Sequence, residues 1–63
     1  MNRVEDAGEA LRKGDIATAK RNVDAALNAD PKLWPAFYMR AQIFAAQGKY
    51  ELAIQDCNDA LRL

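Results

Sequence analysis

Shifted by 34 residues, this sequence superposes on itself. Gly14 falls on Gly48, Ala7 on Ala41, Ala19 on Ala53, Ala26 on Ala60 and Leu27 on Leu61. Ile16 pairs with Tyr50 and Val23 with Cys57 in the same register. A chain that repeats itself at this interval folds as stacked copies of one small unit, each burying the apolar face that its neighbour cannot bury alone. The stretch available is one small domain at most, and a chain of 63 residues buries only about 60% of its unfolded surface.

The unit is a helix, a turn and a second helix. The spacing predicts first helices over 2–13 and 34–47 and second helices over 16–28 and 50–62, with no alternating β-branched run that would read as a strand. Gly14 and Gly48 sit where the chain must reverse, which suits the left-handed backbone after a helix end. Asp15 is placed to cap the helix that follows, whereas its counterpart Lys49 is a poor cap. Asp30-Pro31 ends the second helix, because a residue before proline avoids the helical region. Pro35 fits a first helical turn, where its missing N–H costs nothing. The fold class expected is therefore all-α, with two stacked helix–turn–helix repeats over residues 1–63. The first covers about 1–33 and the second about 34–63.

Charge and composition narrow the function. Nine basic residues balance nine acidic ones, so the chain lacks the basic footprint that nucleic acid or an anionic membrane requires. The 51% of hydrophobic residues is ordinary for a folded domain, and no apolar run approaches the ~20 residues of a membrane-spanning helix. The opening "MNRVEDAGEA" places acids where a signal peptide places its apolar segment, and one cysteine makes no internal disulfide, so the compartment expected is the cytoplasm. Histidine is absent, which removes the commonest general base and the commonest metal ligand. Neither turn glycine belongs to a phosphate-binding loop. The expectation is a non-enzymatic chain with no catalytic residue, no metal and no cofactor.

A 34-residue helix–turn–helix period resembles the tetratricopeptide repeat. In the second repeat Phe37, Arg40, Ala41 and Phe44 fill the spacing of that family's leading helix, with Arg40 where a leucine belongs. Ala53 and Cys57 match its second helix, as do Ala19, Val23 and Pro31 in the first repeat. Arg3, Asp6 and Ala10 depart from the pattern. The resemblance implies a right-handed superhelix whose leading helices line a concave groove for a peptide or a partner helix. Carried onto this sequence, the groove positions are Val4, Gly8, Leu11 and Arg12, then Tyr38, Gln42, Ala45 and Ala46. The partner implied is a protein or peptide. A subclass of the family clamps the terminal carboxylate of heat-shock chaperones. At the matching positions Val4, Gly8 and Met39 no side chain supplies a charge-assisted bond, so that clamp is absent.

The residue types have physical reasons. Helices joined by a short turn approach to ~8–10 Å only when small side chains occupy the contact, which is the work of the alanines. Ile16, Val23, Leu27, Phe37, Phe44, Tyr50, Ile54 and Leu61 are expected to fill the gaps between them. Helix 34–47 is apolar nearly all round, as a helix sandwiched between neighbours is. Where it has Met39 and Ile43, the first helix has Glu5 and Glu9, so the first repeat reads as the solvated cap of an array. Cys57 is expected in the core as a small hydrophobe, since a reactive thiol would lack a histidine base. Asp56 and Asp59 read as a solvated face, and Trp34 as a packing residue between repeats. Leu52 and Leu63 lie off the core stripe of the last helix with no successor to cover them. They are candidates for self-association as a homodimer or other homo-oligomer, which makes a self-associating repeat fragment without a ligand the second functional reading.

Overall fold

The computed structural model describes residues 3–63. Helix α1 spans Arg3–Arg12, α2 Ile16–Ala29, α3 Trp34–Ala46 and α4 Tyr50–Arg62. The chain is all-α, two helix pairs in sequence, as the 34-residue period requires. Helix limits differ from expectation by a residue at three ends: α1 stops at Arg12, α2 runs on to Ala29, and α3 stops at Ala46. Residues 1 and 2, including the expected start of the first helix, lie outside the described residues.

The repeat is visible in backbone hydrogen bonds. The Gly14 N–H donates to Leu11 and the Gly48 N–H to Ala45, both at 3.0 Å. The Asp15 N–H donates to Ala10 and the Lys49 N–H to Phe44, both at 2.8 Å. Both glycines have φ near +80° (80° and 77°), a region that an L side chain enters only with strain. Each turn therefore closes the end of one helix and aims the next one back along it.

The two second helices start differently. At the head of α2 the Asp15 carboxylate accepts the Thr18 N–H at 3.2 Å, satisfying one of the orphan donors there. That bond, first through the side chain and then the backbone of Thr18, holds the Asp15 carboxyl below its ordinary range. Lys49 holds nearly the same backbone as Asp15, φ −93° and ψ 68° against −89° and 78°, yet gives α4 no side-chain cap. Between the pairs, Asp30 is extended, and its side chain accepts the Lys32 N–H at 3.1 Å. Pro35 sits in the first turn of α3.

The core is built mostly of alanine. Ala7, Ala19 and Ala36 are sealed from solvent together with Val23 and Ile43, the largest side chains fully buried. These residues, with Ala10 and Ala26, form one cluster that joins α1 and α2 to α3, and Val4, Leu27, Leu33 and Met39 pack against it. Helix α3 is thus held between α4 and the first pair, as its all-round apolar character predicts. Glu5 and Glu9 on α1 are exposed.

Three of the residues expected to fill the core are instead exposed. Tyr50 is 65% exposed, Ile54 61% and Leu61 86%. All belong to α4, which has α3 as its single partner among the described elements. One neighbour covers one strip of a helix, and Ala53 and Asp56 occupy that strip. Larger residues to either side of it stay outside.

The caps generate a prediction. Asp15→Ala should lower the urea midpoint at neutral pH. The depressed pKa places this contribution above the unfolded aspartate range, so it should fade as pH falls through and below 3.8, Asp15's ordinary value. Lys49→Asp places a cap on backbone already shaped for one, and should raise stability by about 0.5–1 kcal/mol.

Candidate functional site

The position where leucine was expected on α3 carries the least exposed ion pair among the described residues. Arg40 Nε donates to Asp56 Oδ2 at 2.8 Å and its terminal nitrogen donates to Oδ1 at 2.9 Å. This two-pronged arrangement matches a planar guanidinium to a carboxylate. The Asp56 side chain is 5% exposed and that of Arg40 28%. The rings of Phe37 and Phe44 lie 5.4 and 5.9 Å from the guanidinium carbon, close enough for their faces to favour the cation. The bond to Asp56 pushes Arg40 above its already high range. Asp56 was expected on a solvated face; it is instead buried in the α3–α4 seam, because Arg40 reaches across to neutralise it. Asp59 does pair with Arg62, one turn on, as an exposed face would.

Beyond this seam lies an apolar hollow. Trp34 and Tyr38 from the start of α3, with Cys57, Ala60 and Leu61 from the end of α4, enclose about 370 Å³. Trp34 is 55% exposed and Tyr38 50%. Two expectations are corrected here. Trp34 does not pack between the repeats but opens to solvent on the far side of α3. Cys57 is half-buried at the edge of the hollow rather than enclosed in the core. The reason is the same for both: α4 has no further helix against it among the described elements.

The groove positions carried over from the family are spread over different environments. Val4 and Leu11 pack against the core, and Gly8 faces α3, where a Cβ placed on it would lie 3.3 Å from Met39 Cε. Arg12 is exposed and paired with Glu9 at 3.5 Å. Tyr38, Gln42, Ala45 and Ala46 are exposed along α3. Of these eight residues only Tyr38 also lines the apolar hollow. Leu52 and Leu63 are exposed on α4 and at its end, but neither borders that hollow. Leu52 instead edges a more polar recess with Gly48, Lys49, Tyr50 and Glu51. Among the described residues no cluster of three His, Cys, Asp or Glu side chains could hold a metal ion, and no helix is long and apolar enough to cross a membrane.

The chain is similar to a segment of a DnaJ homolog. Over 60 residues, 95% of its length, it is 36% identical to DnaJ homolog subfamily C member 3 of Homo sapiens. It is 33% identical over the same length to the proteins of that name in Bos taurus and Mus musculus. It spans 12% of the length of these relatives. No protein-family model matches the chain, and no solved structure does.

The buried pair yields a sharp expectation. Arg40→Leu alone strands the Asp56 carboxylate in the seam and should cost about 3 kcal/mol, reduced from the full penalty because Arg40 is partly solvated. Arg40→Leu/Asp56→Leu removes both charges and should return to within about 1 kcal/mol of the parent. Urea denaturation of the parent, single and double variants measures both.

Proposed function

We propose that the chain is a non-enzymatic interaction module, two tetratricopeptide-like repeats over about 1–33 and 34–63 that present the face of their leading helices to a protein or peptide. The observation that carries this is α3, an apolar helix whose outer face, Tyr38, Gln42, Ala45 and Ala46, stands in solvent. A helix with no polar side normally has all its faces covered, so the exposed Tyr38, Ala45 and Ala46 beside Gln42 offer a partner a mixed apolar and polar surface. Similarity to a segment of DnaJ homolog subfamily C member 3 supports a module within a larger protein. The step from fold to function is one of analogy.

On this reading a peptide lies along α1 and α3. Val4, Leu11 and Tyr38 supply apolar contact, Gln42 an amide and Arg12 a cation. Titrating candidate peptides into the labelled chain should move the amide signals of Leu11, Arg12, Tyr38 and Gln42 first. Shifts confined to the opposite faces of α2 and α4 would remove this assignment. A second reading, self-association, draws on the exposure of Leu52 at 45% and Leu63 at 53%. Leu52→Glu should then lower the scattering mass at high concentration, and a 7.0 kDa monomer throughout a hundredfold concentration range would exclude it.

A further inference from the structure

Two residues in the middle of the molecule depart from the repeat together. Gly8 lies inside α1, where a glycine weakens a helix relative to alanine. Met39 lies inside α3. Moved by 34 residues, Gly8 falls on Gln42 and Met39 on Glu5, both exposed, so the repeat dictates neither. Their contact accounts for both. A Cβ on Gly8 would sit 3.3 Å from Met39 Cε, tighter than ordinary van der Waals contact. The glycine leaves room for the methyl group, and the methyl group fills it. Met39 packs at the same time against the alanine-rich cluster that joins the first helix pair to α3. Unlike Ile43, one turn further on and sealed, Met39 is partly open to solvent.

We propose that Met39 is an oxidation site whose sulfoxide parts α1 from α3. The oxidant is a peroxide. A lone pair on the thioether sulfur attacks one peroxide oxygen, the O–O bond breaks, and the departing hydroxide takes up a proton as water. Sulfur is oxidised by the same two electrons that reduce the peroxide. The product is the sulfoxide, polar where the thioether was apolar, and a reductase returns it to the thioether.

The new oxygen is attached next to the methyl group that lies against Gly8. Backbone N–H groups inside α1 are committed to the helix ladder. The cluster beneath is alanine, valine and isoleucine, whose side chains donate nothing. An oxygen kept in the seam is therefore unsatisfied. Turned out to water it is satisfied, but the methyl group leaves with it and the space over Gly8 empties. Both routes loosen α1 from α3. The α3–α4 seam is fastened separately by Arg40 and Asp56 and stays closed. Since α1 and α3 carry the proposed peptide face, oxidation reshapes that face as well, yet the change in the seam needs no peptide.

The test is dilute hydrogen peroxide on the folded full chain carrying Cys57→Ala, which removes the thiol. Mass spectrometry of a digest separates sulfoxide at Met39 from sulfoxide at Met1, the other methionine. Met39 should be oxidised without denaturant, and the unfolding constant from urea denaturation should then rise about tenfold. The largest amide shifts should fall on Ala7, Gly8 and Leu11, with Ala53 and Asp56 unmoved. Methionine sulfoxide reductase should restore both readings. Met39→Leu, a swap of similar volume without sulfur, should leave the chain indifferent to peroxide. Sulfoxide that forms at Met39 only in urea would overturn the proposal. So would Met39 sulfoxide with an unchanged urea midpoint and unmoved Gly8, or an equal peroxide response in Met39→Leu. Shifts as large along α4 as along α1 would overturn it too, because the oxidation would then loosen the whole fold rather than one seam.

Discussion

How closely the helices approach decides the rest of this structure. Ala7, Ala19, Ala36 and Ala41 at the seams let backbone meet backbone, and among the described residues only Val23 and Ile43 of the larger side chains are sealed inside. The result is a slab 28 × 27 × 14 Å in extent. An alanine methyl contributes on the order of 0.8 kcal/mol when buried, well below a leucine or phenylalanine. Close packing of this kind trades the energy of each contact for the regularity of a stack. Such a stack gains stability from the number of neighbours it accumulates rather than from one large core.

That economy displaces the bulky residues. Phe37 and Phe44 are half-buried, and instead of filling the seam they flank the guanidinium of Arg40. The Arg40–Asp56 pair does in the second repeat what a leucine would do by burial alone. It ties α3 to α4 by geometry, because a bidentate pair holds one alignment where an apolar contact tolerates several. In the first repeat the equivalent positions are Asp6 and Asn22, which carry no such pair. There Arg3 donates weakly to Asn22 at 3.4 Å. The two repeats thus share a backbone and differ in what fastens it.

Features fixed by local chemistry were legible in the sequence. Gly14, Gly48, Asp15, Asp30-Pro31 and Pro35 each act through their own backbone or a neighbour within a turn, so the helix ends could be read directly. The burial of Asp56 could not, since its partner lies 16 residues away and neither residue announces the other. A signal was present: a lone arginine in an apolar stripe needs a buried acid, and Asp56 is the acid one helix across. The misplacement of Trp34, Ile54 and Leu61 has another cause. Their periodicity is that of a covered face, and the sequence pattern does not distinguish a face covered within the chain from one left open. Val23 and Cys57 make the point, being equivalent by register, one sealed and the other half-buried.

That contrast is also the most direct test. Cys57 is half-buried at the edge of the hollow, where a thiol reagent should reach it. In the exchanged chain Val23→Cys/Cys57→Val, the single thiol occupies the same register of the covered repeat. If the two faces are copies of one surface, with α3 seated on the first and nothing on the second, native Cys57 should react at least about a hundredfold faster than the thiol at position 23, which reacts only when the pair opens. Equal rates in the two folded chains would contradict the account, because the two faces would then be equally covered or equally open.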